Sequence, residues 1–261
     1  MRKKSFGQHF LHDRRVLLGI VDALGIEAQD QVIEIGPGTG RLTRVLAERV
    51  PPQDLSALEL DRDMVAHLAE HLPELRVTPA DACRVDWAAH ATRPTRLVGN
   101  LPYNASTAIL FHALDSRHLF RRMVFMFQKE VAERLTAQPG DRNYGAPAAV
   151  LELVAETRYL FTVKPSAFRP PPRVDSAVVS FVPRQAPLHG LGDADLEAFG
   201  RFAHGVFKQP RKTLRNNLRV LTPDADAVLA AAELPGEARP NTLDLAALVH
   251  LWRMVLTPRP T

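Results

Sequence analysis

A short apolar run, three closely spaced glycines and a helical stretch form the feature that most constrains the fold of this chain. Gln31–Ile35 has the composition of a buried strand, Gly36-Pro37-Gly38-Thr39-Gly40 follows it, and a helical pattern continues to about Val50. Glycines here let backbone amides approach a ligand closely, and the next helix directs its positive N-terminus to the same point. A glycine-rich turn without a ligand is the alternative.

Short apolar runs alternate with helical stretches up to about residue 182, which predicts a parallel sheet covered by helices on both faces. Further strands are predicted at Leu55–Leu60, Leu75–Pro79, Arg96–Val98, Met123–Phe127, Tyr159–Val163 and Ala177–Val182, and helices at Val16–Leu24, Arg62–Leu72 and Tyr144–Val154. After Pro183 the pattern is helical, interrupted by Pro and Gly. The chain is therefore expected to be α/β, with a domain over residues 1–187 and a smaller helical domain over residues 188–261.

The composition excludes several classes of protein. One cysteine, Cys83, is incompatible with a disulfide framework and fits a reducing cytoplasm. No apolar run approaches the roughly 18 residues of a membrane span, and the basic N-terminus has no apolar stretch of a signal peptide behind it. His67-Leu68-Ala69-Glu70-His71 matches a metalloprotease spacing, but no further ligand accompanies it, so no metal is expected.

Positive charge is concentrated in three segments of the chain. Residues 1–15, 164–184 and 198–222 carry +4, +3 and +6, whereas the whole 261-residue chain carries only +4. Such segregation favours a surface that binds a polyanion, although solvated charged faces remain the alternative. Within the last segment, a helix is predicted from Pro210 to about Leu221, with an apolar stripe beside Arg211, Lys212 and Arg215. These three residues are the candidate RNA-phosphate contacts.

Acidic residues follow the next two predicted strands. Glu59 stands where a carboxylate accepts hydrogen bonds from ribose hydroxyls, and Asp81 where one could accept from an adenine amine. The glycine spacing is G-x-G-x-G, tighter than the dinucleotide fingerprint, which favours S-adenosylmethionine (SAM), a ligand without a pyrophosphate. Either carboxylate could instead cap a helix.

The fourth predicted strand ends in Asn100-Leu101-Pro102-Tyr103. An adenine N6 amine is a poor nucleophile, because its lone pair is delocalised into the ring. Acceptors at the Asn100 side chain and the Leu101 carbonyl could hold its two hydrogens and direct the lone pair at a methyl donor. Tyr103 could stack on the base. An ordinary turn with a core tyrosine is the alternative.

The proline-rich segment Phe168-Arg169-Pro170-Pro171-Pro172-Arg173 must be extended and stiff. It is either a rigid connection into the last strand, or it presents Phe168 as a second aromatic wall for a flipped base.

Seven segments of this chain together resemble the ribosomal small-subunit RNA adenine N6,N6-dimethyltransferases. They are Lys4–Leu11, Glu34–Gly40, Glu59–Asp61, Asn100–Asn104, Gln128–Val131, Pro165–Ser176 and Phe207–Asn216. The resemblance implies a Rossmann-like SAM-dependent methyltransferase domain with a helical rRNA-recognition domain. It also implies dimethylation of two adjacent adenosines in the 3′-terminal hairpin loop of 16S rRNA, within the immature 30S subunit, by a cytoplasmic monomer.

The resemblance also implies roles for individual residues. SAM would contact His9, Leu11, Gly36, Gly38, Glu59, Asp81 and Asn100, and the target base would contact Asn100, Tyr103 and Phe168. The family usually has Asn where His9 stands. A large-subunit rRNA adenine methyltransferase and a mainly non-catalytic assembly factor are the two alternative functions. The proline-rich segment and the basic tail favour the small-subunit enzyme, and an intact Asn100–Tyr103 motif favours catalysis.

Overall fold

The computed structural model describes residues 9–256 and divides into two compact units. The first contains the chain up to Ala132 together with Arg158–Pro183, and the second contains Glu133–Thr157 and the chain from Arg184 onward. In the described part, no helix is long and apolar enough to cross a membrane.

The helices and strands follow the alternation that the sequence predicts. As far as Leu135 they are β1 (Phe10–Leu11), α1 (Arg14–Leu24), β2 (Gln31–Ile35), α2 (Arg41–Ala47), β3 (Leu55–Glu59), α3 (Arg62–His71), β4 (Arg76–Pro79), β5 (Thr95–Asn100), α4 (Ser106–Asp115), β6 (Phe120–Gln128) and α5 (Lys129–Leu135). The others are α6 (Ala146–Val154), β7 (Ala155–Val163), β8 (Phe168–Arg169), β9 (Ser176–Pro183), α7 (Asp193–Val206), α8 (Leu214–Leu218), α9 (Ala225–Ala231) and α10 (Leu245–Leu256).

Seven strands form one sheet in the order β4-β3-β2-β5-β6-β9-β7. Strands β2 to β6 are parallel, and β9 is antiparallel to β6. All five residues of β2 are buried, so both faces of the sheet are covered there. The expected α/β, Rossmann-like sheet is confirmed. The strand order reverses on either side of β2, and in open α/β sheets ligands bind at the carboxyl ends of the strands at such a point.

A buried ion pair joins the opposite ends of these strands to α1. Arg96 on β5 is 4% exposed, and its guanidinium donates to Asp30 and to the carbonyl of Leu24. Glu27 accepts a further hydrogen bond from Arg96 at 3.1 Å. The network thus satisfies the last carbonyl of α1 with a side chain of the central sheet.

Helices dominate the second unit, and α6 packs against α7 and α10 within it. Residues 133–157 therefore group with the tail, whereas the sequence analysis assigned them to the domain over residues 1–187. Aromatic contacts support the packing, with Phe199 and Trp252 edge to face at 5.8 Å. The assignment of rRNA recognition to residues 188–261 stays a prediction.

The helix expected from Pro210 to Leu221 is shorter than predicted. α8 begins after Thr213, whose hydroxyl accepts a hydrogen bond from the Asn216 amide, and it ends at Leu218. Pro210 lies instead in the turn that precedes the helix, where the Lys212 amide donates to the Gln209 carbonyl. The predicted apolar stripe is present, because Leu214 and Leu218 are fully buried.

Candidate active site

A cavity of about 360 Å³ opens at the carboxyl ends of β2, β3 and β5. This volume is within the range of small-molecule sites. The lining residues come from the first unit and are His9, Phe10, Leu11, Leu17, Glu34, Gly36, Pro37, Gly38, Thr39, Arg41, Leu42, Glu59, Asn100, Leu101, Pro102, Tyr103 and Asn104. The cavity therefore brings together most of the residues that the sequence analysis selected from separate motifs.

The glycine loop turns sharply beneath this cavity. Gly36 and Gly38 have φ angles of +66° and +55°, a left-handed backbone that strains any other residue. A Cβ atom added to Gly36 would meet no atom within 4 Å, whereas one added to Gly38 would lie 3.2 Å from the Phe10 ring. The loop thus leaves open space beside Gly36 that a ligand can fill.

Glu59 ends β3 at the cavity and is 6% exposed. Its Oε2 accepts a hydrogen bond from the Gly38 amide at 3.1 Å, and its Oε1 accepts one from the Asp61 amide at 2.9 Å. Each carboxylate oxygen has a second lone pair, so Glu59 can also accept from a diol. The two amides orient it for that contact.

Asp81 lies beyond the end of β4 and does not line the cavity. The preceding Ala80 amide donates to the Glu59 carbonyl at 3.1 Å, which brings the two strand ends together. One oxygen of Asp81 accepts from the Cys83 amide at 2.9 Å, forming a tight turn. Its contact with an adenine stays a prediction.

Glu34 is a second buried carboxyl in the cavity, and its place there was not predicted from the sequence. It is 2% exposed, and the Thr43 hydroxyl donates to its Oε2 at 2.6 Å. Burial, reinforced by the nearby charge of Glu59, raises the pKa of Glu34 to about 8, although the Thr43 hydrogen bond lowers it. A carboxyl between the apolar residues Ile33 and Ile35 of a buried strand was the available signal, because unpaired acids are rarely buried.

Asn100 occupies the end of β5 and lines the cavity. Its side-chain nitrogen donates to the His9 carbonyl at 3.2 Å, so its oxygen is left as the acceptor of this side chain. Leu101 is 1% exposed, which anchors the chain beside Asn100. The pair can hold an amine through two acceptors.

Tyr103 lies across the cavity with its ring partly exposed. Its hydroxyl forms a 2.7 Å hydrogen bond with Ser176, and burial raises the pKa of the phenol although this hydrogen bond lowers it. A neutral, tethered ring suits stacking and does not suit general-base catalysis.

Phe168 is placed differently from the other candidates. It lies on β8, is 2% exposed, and packs in the apolar core with Leu11, which is its partner in the β1–β8 ladder. It is not a lining residue of the cavity. To form an aromatic wall, the Phe168 side chain would have to leave this core, and the role stays a prediction.

His9 and Leu11 both line the cavity, beside the glycine loop. The His9 ring lies 6.0 Å from the Tyr103 ring at an interplanar angle of 31°, and its Nδ1 is 2.8 Å from the Pro170 carbonyl oxygen. Residues 1–8, which carry most of the basic N-terminal segment and the motif residues Lys4 to Gln8, lie outside the described residues.

The candidate RNA contacts in the second unit fall into two groups. Arg211 and Lys212 are exposed, and their side chains have no hydrogen bond or ion pair within the described residues. Arg215 forms ion pairs with Glu237 at 2.5 Å and Asp226 at 2.7 Å, and its contact with RNA stays a prediction. These two acids follow α8 in the chain, where the sequence alone did not indicate a contact.

Asn217 holds the loop that carries Arg211 and Lys212. It is 1% exposed; its oxygen accepts from the Gln209 amide at 2.9 Å, and its nitrogen donates to the carbonyls of Gln209 and Thr213. One buried amide thus fixes the loop backbone from residue 209 to residue 213. No sequence signal distinguishes this asparagine from the exposed Asn216 beside it.

The His67–His71 segment with the metalloprotease spacing lies on α3. His67 and His71 stack on α3 with ring centroids 4.1 Å apart. Among residues 9–256, no group of three or more His, Cys, Asp or Glu side chains is arranged to hold a metal ion.

Known proteins similar to this chain agree with one another. A family model described as ribosomal RNA adenine dimethylase matches residues 1–245. Ribosomal RNA small subunit methyltransferase A of Alcanivorax borkumensis is 43% identical over 260 residues, covering 98% of this chain and 91% of the relative. The protein of the same name from Acinetobacter baylyi is 42% identical over 255 residues, covering 95% and 90%.

Two solved structures of RNA-modifying enzymes share the fold of this chain. A dimethyladenosine transferase from Plasmodium falciparum has a TM-score of 0.75 and 25% identity, covering 93% of this chain and 96% of that one. The 23S rRNA methyltransferase ErmE has a TM-score of 0.72 and 25% identity, covering 94% and 99%.

Proposed function

This chain belongs to the ribosomal RNA adenine dimethylase family, and we propose that it dimethylates N6 of two adjacent adenosines in the 3′-terminal hairpin loop of 16S rRNA. It is an rRNA adenine dimethyltransferase, and SAM is its methyl donor. The proposed substrate is the immature 30S subunit, and the proposed setting is the cytoplasm, with the enzyme acting as a monomer. The small-subunit methyltransferase names of relatives near 40% identity support the choice of 16S rRNA.

The main observation in support of this proposal is that Glu59 and Asn100 line the same cavity. Glu59, held by two backbone amides, suits the ribose of a nucleoside, and Gly36 leaves room for a ligand beside it. When bound, SAM supplies an electrophilic methyl group on a sulfonium. We assign the SAM contacts to His9, Leu11, Gly36, Gly38, Glu59, Asp81 and Asn100.

The chain's own contribution to the reaction is positioning. The Asn100 oxygen and the Leu101 carbonyl accept the two hydrogens of the adenine amine, which turns its lone pair toward the methyl donor. Tyr103 stacks on the base, and Phe168 is the proposed second wall. No strong base is required, because the amine becomes a cation when its nitrogen takes the methyl group, and this cation readily loses a proton to water.

Arg211 and Lys212 are the proposed contacts to rRNA phosphates, since both side chains are exposed without a partner in the described residues. Arg215 was expected to join them. Its two ion pairs support a role in holding the structure around α8, with a smaller contribution to RNA binding.

The test supplies tritiated SAM and undermethylated 30S particles to the protein and maps the label on the RNA. The expected result is N6,N6-dimethyladenosine at two adjacent positions of the 3′-terminal hairpin loop of 16S rRNA. Label on 23S rRNA, with separated 50S particles as substrate, would establish the large-subunit alternative.

Asn100→Ala is the matched control for catalysis. Methyl transfer should fall by orders of magnitude while binding to the particle persists, because the Asn100 oxygen is the proposed acceptor of the target amine and the side chains proposed to contact rRNA phosphates are unchanged. Particle binding by the wild-type protein without any methyl transfer would support the non-catalytic assembly factor.

A further inference from the structure

The segment His9–His12, called here the N-terminal segment, forms one wall of the cavity. Phe10 and Leu11 pair with Arg169 and Phe168, and the His12 amide donates to the Ala167 carbonyl at 2.9 Å. Hydrogen-bonded and non-hydrogen-bonded residues alternate in an antiparallel ladder, and residue 12 bonds to Ala167 just before β8. The backbone carbonyls of residues 9 and 11 therefore point away from β8. The His9 carbonyl is thereby free to serve another partner.

That partner is the amide of Asn100. Its nitrogen lies 3.2 Å from the His9 carbonyl oxygen. A carbonyl can only accept a hydrogen bond, so the atom facing it must be the NH₂ group, and the Asn100 oxygen must lie on the other side. If the amide were turned over, it would present a donor to the adenine amine, which also donates, and the two would repel.

The His9 imidazole holds this carbonyl in place. Its Nδ1 lies 2.8 Å from the Pro170 carbonyl oxygen, which again can only accept, so Nδ1 carries the hydrogen. The ring also lies 6.0 Å from Tyr103. The side chain therefore fastens the end of the N-terminal segment, beyond its last ladder pair, to the proline-rich segment.

We propose that His9 is a positioning residue for methyl transfer, in addition to any contact with SAM. Its carbonyl sets the Asn100 amide with the oxygen toward the target amine, and its Nδ1–H bond to Pro170 keeps the carbonyl there. This inference rests on the proposed function. It requires a hydrogen-bond donor at position 9, and it does not require an imidazole that changes its protonation state.

The chain offers a matched pair of variants. In His9→Asn, the side-chain nitrogen is placed close to the Nδ1 position and can still donate to Pro170. In His9→Phe, the ring remains and the donor is lost. His9→Leu repeats the loss of the donor with a smaller side chain, and circular dichroism with thermal unfolding establishes that each variant is folded.

The first measurement is the single-turnover rate of methyl transfer to undermethylated 30S particles at saturating SAM. His9→Phe should lower the rate by about 10-fold or more, since small displacements of a positioning group are costly. His9→Asn should restore the rate to within about 3-fold of wild type. Saturating SAM removes any change in cofactor affinity from the comparison.

The second measurement needs no activity. The side-chain NH₂ resonance of Asn100, assigned through its loss in Asn100→Asp, reports on the hydrogen bond to His9. It should shift in His9→Phe and return toward the wild-type position in His9→Asn.

A rate in His9→Phe within about 2-fold of wild type, or an unmoved Asn100 resonance, would overturn the inference. A change confined to SAM affinity would make His9 a cofactor ligand only. Absence of methyl transfer by the wild-type protein is a different result, because it contradicts the proposed function itself.

Discussion

At the scale of single residues, two buried carboxyls, Glu34 and Glu59, line one cavity but have different hydrogen-bond partners. Glu59 accepts hydrogen bonds from two backbone amides, whereas Glu34 has one hydroxyl partner and the charge of Glu59 nearby. The cavity thus holds one carboxylate suited to accept from a ribose and one carboxyl that retains its proton near neutral pH.

Replacing Glu59 should weaken cofactor binding. Glu59→Ala should reduce SAM affinity by about 1.5–3 kcal/mol, the usual loss for a hydrogen bond to a charged group. S-adenosylhomocysteine, which has the same ribose, should lose a similar amount, and Glu59→Gln should lose less because it keeps an acceptor. Isothermal titration calorimetry measures all three. Binding of NAD in place of SAM would contradict the assigned cofactor.

Glu34 should make the ligand-free protein less stable as pH rises. Its folded pKa of about 8 exceeds the unfolded value of 4.5, so between these values the folded state keeps a proton that the unfolded state releases. The free energy of unfolding should fall through that window by up to about 1.4 kcal/mol per pH unit. Glu34→Gln should remove this slope in urea unfolding at pH 5.5 and 7.5. Equal slopes in both proteins would show that Glu34 titrates normally.

At the scale of elements, the glycine loop and three strand ends create the cavity, and the N-terminal segment closes one side of it. The remote ends of the same strands are held by the buried pair of Arg96 and Asp30, which joins β5 to the end of α1. The sheet that positions the catalytic residues is therefore stabilised by an ion pair at the amino-terminal ends of its strands, opposite the cavity.

Breaking that buried pair should be costly. Arg96→Met should lower the free energy of unfolding by about 3–5 kcal/mol, because Asp30 loses its buried partner and keeps only the more exposed Arg121, whose guanidinium lies 3.5 Å away. Asp30 also accepts from the Glu27 amide, so Asn can replace it without losing that acceptor. Arg96→Met combined with Asp30→Asn should recover part of the loss in chemical denaturation. A single variant as stable as wild type would mean that water already screens the pair.

At the scale of the whole molecule, the positive charge is segregated along the chain. The segment over residues 198–222 carries +6, and Arg211 and Lys212 in it are exposed on a loop that Asn217 holds. When such charges bind RNA phosphates they release counterions, so each contact steepens the fall of binding affinity with salt concentration.

Removing the charges of Arg211 and Lys212 should make RNA binding less dependent on salt concentration. Arg211→Gln combined with Lys212→Gln should lower the slope of log affinity against log salt on 30S particles by about 1.5 units, at roughly 0.7–0.9 per lost contact. Arg215→Gln is the matched control and should change the slope less, because Arg215 is paired with Asp226 and Glu237. SAM affinity should not change in either protein. An unchanged slope in the double variant would mean that this face is only solvated.

The sequence by itself determined the α/β sheet and much of the site. Strand–helix alternation is a local pattern, and parallel strands bring their carboxyl ends to one edge, so the pattern alone is enough to place Gly36, Glu59 and Asn100 together. The start of α3 at Arg62, which the sequence predicts, is equally local, since the Asp61 side chain caps the helix by accepting from the Asp63 amide two residues away.

Only the tertiary structure decided which groups face one another across long stretches of chain. The His9 carbonyl meets Asn100 91 positions away, and the ladder that buries Phe168 against Leu11 joins segments more than 150 residues apart. The grouping of residues 133–157 with the tail arises from the packing of α6 on α7 and α10. The shorter α8 and the pairing of Arg215 have similar origins in contacts made on folding. The periodicity of a sequence predicts which side of a helix or strand is apolar. It does not predict which distant residues that side, or the polar residues beside it, will contact.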